Sequence, residues 1–288
     1  MSHTHNTDSV ETAETPSGKG SKDENFPVGS LLLSKVVRPH VAVFYAFARA
    51  IDDVADNPKL APEEKIERLD GFDQALMGLN DDPAFEKAHI VRSSLIYTGV
   101  PIQHCRDLIS AFKQDAVKSR YENWDELIDY CDRSAAPVGR YLLDLHGVSK
   151  DLYAASDALC NALQVINHLQ DCKDDYLEMD RVYLPQDWMR QVGIDVDALR
   201  QPFTGRGLRR VLDLCLQETS DLLAMARQLP GPMSSRRLAM ESAAIVRIAE
   251  RLVVELRRRD PLGERVVLTK PQYLICCFQG ILRLFFGR

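Results

Sequence analysis

The chain has 288 residues, 45% of them hydrophobic and 27% charged, an ordinary globular balance with enough length for one large core or two modest ones. Its 36 basic and 42 acidic side chains leave a net charge of −6. No lysine- or arginine-rich stripe offers a field for a nucleic-acid backbone, so no nucleic-acid partner is expected. Seven cysteines form neither CxxC pairs nor an even secreted framework, which points to a reducing, cytoplasmic setting.

Residues 1–22 are rich in Ser, Thr, Gly and charge with almost nothing apolar to bury, and are expected to form a disordered tail without a signal h-region. From residue 23 to 270 the helical period dominates and apolar–polar alternation is scarce, so one all-α domain of eight to ten helices is expected. The first strong helix lies between Pro39, suited to a first turn, and Asn57-Pro58, which stops it. Ala, Val, Phe, Tyr or Ile occupy most of its positions on every side, as in a helix packed all round. At about 100° per residue its polar side chains Tyr45, Arg49, Asp52 and Asp56 fall within about 60° of one another, with Asp53 beside them.

Further along, Ile66, Leu69, Phe72, Leu76 and Met77 form one apolar stripe, and Leu208, Val211, Leu212, Leu216, Leu222 and Leu223 another. Breaks fall at Asn80–Pro83, Gly99–Pro101, Pro185, Pro202–Gly205, Pro230–Pro232 and Asp260-Pro261. Between the stripes, a second helical segment carries Gln164, Asn167, Asp171, Asp175 and Glu178 on one face, with Asp174 on its flank. The last segment, Tyr273 to Phe286, reads YLICCFQGILRLFF. It is too short to span a bilayer, which takes about 20 residues, and reads either as a packed core helix or as a peripheral membrane contact over 271–288.

One DxxxD on a helix is usually a solvated face. Two such strips on strongly apolar helices, each with a guanidinium or amide one turn earlier, point elsewhere. Carboxylates taken into a helix core cost several kcal/mol each unless a cation compensates them, and Arg49 alone cannot neutralise four. Oxygen-only ligands favour Mg²⁺, completed by water and phosphate oxygens.

These residues resemble the squalene/phytoene synthase family of all-α isoprenoid synthases, from about Asn25 to Lys270. The matching text is Tyr45-AFAR49-AI-Asp52-DVA-Asp56, then Gln164-VI-Asn167-HLQ-Asp171-CKD-Asp175, then Arg181-V-Tyr183-LP, with Tyr130-CDRSAAPVG between and Phe26 ahead. The resemblance implies a single-domain helical bundle around a central cavity, Mg²⁺ held by Asp52, Asp53, Asp56, Asn167, Asp171 and Asp175, and prenyl diphosphate bound through Phe26, Tyr45, Arg49, Gln164, Asn167, Arg181 and Tyr183. Asp52, Asp56, Asp171, Asp175 and Tyr130 are the implied catalytic set, with Tyr130 or a polar neighbour placing a quenching water. Phe44 and Phe47 join Phe26, Tyr45 and Tyr130 as expected cavity lining.

The phrases ENFPVGS, SAAPVGRYLLDLHG and DRVYLPQDW are similar to the hydroxysqualene-forming subgroup of that family. The likeness implies ionisation of presqualene diphosphate and capture of the rearranged cation by water, without NADPH. It also implies coupling to the enzymes before and after it in squalene biosynthesis; the cysteine usage and the apolar 271–288 segment point to cytoplasmic placement or to the inner face of the cell membrane. Presqualene diphosphate, squalene and phytoene synthases, some working from farnesyl diphosphate, stay open within the family. Outside it stand a carboxylate di-iron bundle, for which Glu86-Lys87-Ala88-His89 is half a motif, and a non-enzymatic membrane-docking scaffold. His40, His168 and Cys172 are expected to pack.

Overall fold

A computed structural model describes Ala13 and residues 33–286. Phe26, the 24–30 motif and the expected tail, apart from Ala13, fall outside the described residues. Within them twelve α-helices form, and the chain pairs like a sheet only at one isolated parallel bridge, Arg120 with Val182. The helices are α1 (Arg38–Asp56), α2 (Pro62–Met77), α3 (Glu86–Thr98), α4 (Gln103–Asp115), α5 (Trp124–Ser134), α6 (Ala136–Leu145), α7 (Tyr153–Gln170), α8 (Cys172–Met179), α9 (Gln186–Gln191), α10 (Arg206–Ala226), α11 (Arg236–Arg258) and α12 (Lys270–Phe286).

The count exceeds the expected eight to ten because two continuous-looking helices are broken. Ala135, at φ −123° and ψ −48°, separates α5 from α6, and Pro137, which lacks an N–H, falls in the first turn of α6, where none is needed. The second acidic segment divides at Asp171, at φ −108° and ψ 9°. Its hydrogen-bond ladder nevertheless runs through: Asp171 N donates to Asn167 O at 2.9 Å and Asp175 N to Asp171 O at 2.8 Å. The acidic strip therefore keeps its helical phase.

Chain breaks do their work where the sequence places them. Gly78 and Gly99 cap α2 and α3 at φ 75° and 70°, left-handed values that glycine adopts without steric cost. Asn123 accepts from Glu126 N at 2.9 Å to start α5. α1 packs against α2, α3 and α4, whereas α7 packs against α5, α6, α10 and α11. The two acid-bearing elements thus sit in the middle of the bundle. Leu69, Phe72 and Leu76 of α2, and Leu208, Val211, Leu212, Leu216 and Leu223 of α10, are buried, as their stripes predict, while Met77 is exposed.

Candidate active site

A cavity of about 370 Å³ lies among α1, α4, the α5–α6 junction, α7 and α11. Most of its wall is apolar, with Phe44, Leu159, Leu163 and Leu238 as examples, and one polar group of Tyr45, Arg49, Asp52, Gln164 and Asn167 comes from facing positions on α1 and α7. On α7, Gln164 and Asn167 are the two positions between 161 and 170 that are not buried. The helical period therefore delivers both amides to the cavity.

The carboxylates are held by arginines. Arg49 donates to Asp52 Oδ2 at 2.7 Å and to Asp53 Oδ1 at 2.6 Å, and Asp53 is buried. Arg181 donates to Asp56 and also caps the end of α1 through Ala55 O at 3.0 Å. Arg265, from the α11–α12 connection, grips both oxygens of Asp171 at 2.6 and 2.9 Å, a bidentate pairing. Asp175 lies 4.0 Å from His168 Nδ1. Burial first, and then the neighbouring Asp56, push Asp52 well above the usual carboxylate range, with Arg49 pulling the other way. Thus an acidic cluster remains in need of positive charge even with Arg49 in place.

The donor set suits a hard divalent cation such as Mg²⁺. Among the described residues no three His, Cys, Asp or Glu side chains gather closely enough to hold an ion by themselves. A cation here would take one or two carboxylates and complete its shell with water and phosphate, as Mg²⁺ does. The same observation removes support from a di-iron centre: Glu86 is exposed on α3, and His89 is engaged by Asp82 O at 2.9 Å.

Beyond the carboxylates lies a buried polar cluster around Asp115, at the end of α4, which the sequence reading missed. Tyr130 donates to Asp115 Oδ2 at 2.7 Å, and Tyr183 reaches Oδ1 at 3.5 Å. Tyr183 stacks on His168 with ring centres 3.6 Å apart, and Arg181 reaches Asp115 O at 3.4 Å. The α8–α9 connection is held there by Val182 N to Ser119 O at 2.9 Å and Gln186 N to Tyr121 O at 3.0 Å. Burial pushes Asp115 up to about 6, and burial followed by the Arg181 charge lowers His168 to about 3, so this imidazole is neutral.

Tyr130 accordingly stands behind the cavity wall, with its hydroxyl engaged by Asp115, and is not among the lining residues. Phe47 also lies in the core, edge-on to Phe72 at 6.2 Å, whereas Phe44 and Tyr45 do line the cavity. Phe44 stacks on Tyr141, a lining aromatic that the sequence reading did not single out. His40, bonded to Ser94 at 2.7 Å, and buried Cys172 pack as expected.

The model of the squalene/phytoene synthase family matches residues 20–272. A hydroxysqualene synthase of Zymomonas mobilis is 41% identical over 93% of this chain and 91% of that protein, and one of Rhodopseudomonas palustris is 41% identical over 96% and 95%. Among solved structures, a squalene synthase from Alicyclobacillus acidocaldarius is 31% identical, with a TM-score of 0.70, over 80% of this chain and 87% of that one. The arrangement of acidic helices around an apolar cavity is therefore carried by a chain that belongs to the squalene/phytoene synthase family of enzymes.

Proposed function

We propose that the chain is a hydroxysqualene synthase, ionising presqualene diphosphate in the presence of Mg²⁺ and capturing the rearranged carbocation with water. The observation that carries this reading is identity of about 40% to proteins of that name over nine-tenths of the chain. The cavity supports it chemically, because a polar, carboxylate-bearing group opens onto an apolar wall.

Asp52, Asp56, Asp171 and Asp175, with Asp53 and Asn167 at their flanks, would hold the cation. Mg²⁺, when bound, supplies Lewis-acid stabilisation of the charge that grows on the leaving diphosphate. Arg49 and Arg181, turning from their aspartates, present planar donor forks to diphosphate oxygens, and Gln164 adds a neutral donor. Phe44, Tyr45 and Tyr141 offer aromatic faces to the cation, while the aliphatic wall keeps other water away. Tyr183 and Tyr130 support this end through Asp115. For the quenching water the candidate is Ser134, one turn beyond Tyr130 on α5, which lines the cavity where Tyr130 stands behind its wall. No hydride is transferred, so NADPH is not required. Enzymes that supply presqualene diphosphate and consume hydroxysqualene are its functional neighbours, in the cytoplasm or at its membrane face.

Incubation with presqualene diphosphate should release diphosphate and form hydroxysqualene only with Mg²⁺, and Asp52→Ala should slow release at least about 100-fold. Equal release without a divalent ion, or in the Asp52→Ala variant, sinks the metal reading. A squalene or phytoene product from wild type, with farnesyl diphosphate or NADPH supplied in parallel, sinks the product assignment instead.

A further inference from the structure

α12 packs one side on α11 and leaves the opposite, apolar face uncovered. Cys276 and Gly280 are its two fully buried residues. A Cβ at Gly280 would lie 2.3 Å from Ala243 O, so the two backbones touch where glycine permits it. At about 100° per residue, Leu274, Phe285, Phe278, Leu282, Ile275 and Phe286 fall on one arc of about 120°. All six are exposed, from 36% at Leu282 to 82% at Phe286. No charge interrupts that arc; Gln279 and Arg283 begin beside it. A contiguous apolar face of this kind marks an interaction surface.

Its flank is cationic. Arg227, which caps the end of α10, Arg247 of α11 and Arg283 of α12 converge on Glu250 at 2.6, 2.9 and 3.5 Å. Three guanidinium groups against one carboxylate leave surplus positive charge beside the apolar arc, in a chain whose net charge is −6. Among the described residues no helix is long and apolar enough to cross a membrane. Residues 1–22 carry almost no apolar side chains with which to cover the face.

We propose that α12 lies in the surface of an anionic phospholipid bilayer, its Phe and Leu arc among the acyl chains and the Arg227–Arg247–Arg283 cluster at the lipid phosphates. An apolar helix face flanked by arginine fits a membrane surface, where buried apolar area and attraction to anionic headgroups add. A second copy of the chain would bring the same cationic cluster close to its own counterpart, which like-charge repulsion disfavours. The inference stands on this surface alone and does not depend on the reaction proposed above.

The test is sedimentation of the full chain with vesicles of phosphatidylcholine, with and without about 30% phosphatidylglycerol. Wild type should pellet with the anionic vesicles and less with neutral ones. Phe278→Asp combined with Phe285→Asp should weaken pelleting at least about tenfold, and Arg227→Glu combined with Arg283→Glu should remove the preference for the anionic lipid. Both pairs of side chains project from the surface, and a circular-dichroism melt of each variant verifies its fold. Wild type that stays in solution at both compositions overturns the proposal. So does equal pelleting by the Phe variant, or a dimer in light scattering that the same Phe substitutions dissolve.

Discussion

At Asp115 and His168, side chains some fifty residues apart belong to one buried cluster and are shifted in opposite directions. Burial raises Asp115 from 3.8 to about 6, so its protonated form is the one the fold prefers. Between those values the folded state holds more protons than the unfolded one, and stability falls by about 1.4 kcal/mol per pH unit. His168 is lowered from 6.5 to about 3. There the unfolded state takes the proton first, and stability rises by about the same slope as pH increases. From pH 3.8 to about 6 the two contributions oppose and nearly cancel. Asp115→Asn should therefore make stability climb more steeply with pH in that window, by about 1.4 kcal/mol per unit, and His168→Gln should shift the slope by about the same amount in the opposite direction, towards a fall as pH rises. Urea unfolding at several pH values measures both slopes, and variants that parallel wild type would show that neither group titrates as its burial implies. Tyr130 and Tyr183 both donate to the Asp115 carboxylate, so the same pH steps should register in tyrosine absorbance.

For single elements, the sequence was most legible where one helix carries its own signal. α1 begins one residue before Pro39 and ends two before Pro58, and its strip of Tyr45, Arg49 and Asp52 reaches the cavity as the helical period requires. Legibility was partial at junctions: Pro137 and Gly139 follow the break at Ala135 and announce it, whereas the break at Asp171 has neither glycine nor proline beside it. It failed also for α12, where the composition suits burial and exposure equally. Contact with α11 at Gly280 decides how the helix sits. Replacing Gly280 with Leu would drive a side chain into the backbone at Ala243 and Ala244, neither of which can move without shifting α11. The expected loss is about 1–3 kcal/mol of stability, with α12 released first, so limited proteolysis should clip the chain between Arg259 and Lys270 before the rest unfolds. An unchanged melting temperature and intact chain would mean that the contact at Gly280 does not anchor α12.

Across the whole molecule, what the sequence concealed is the origin of the positive charge. Reading along the chain supplied Arg49 as the one nearby cation for four carboxylates, and hence a metal. The fold adds Arg181, 125 residues from Asp56, and Arg265, 94 residues from Asp171, separations over which no local pattern can announce a contact. Three arginines from three parts of the chain thus hold the acidic strips, and at Asp171, where Arg265 grips both oxygens, the ion pair competes with a metal for the same carboxylate. Arg265 is the most separable case, because its side chain is about half exposed and Asp171 is also reached by solvent. Such a pair is worth at most about 1 kcal/mol, so Arg265→Ala should leave the melting temperature nearly unchanged. As a competitor for Asp171, however, Arg265 should raise the Mg²⁺ concentration needed for half-maximal diphosphate release. Its removal should lower that concentration about two- to fivefold, while Asp171→Asn raises it. Titrating Mg²⁺ into both variants at saturating presqualene diphosphate decides the matter: a higher Mg²⁺ requirement in Arg265→Ala would make Arg265 a contact to the bound diphosphate instead of a placeholder for the cation.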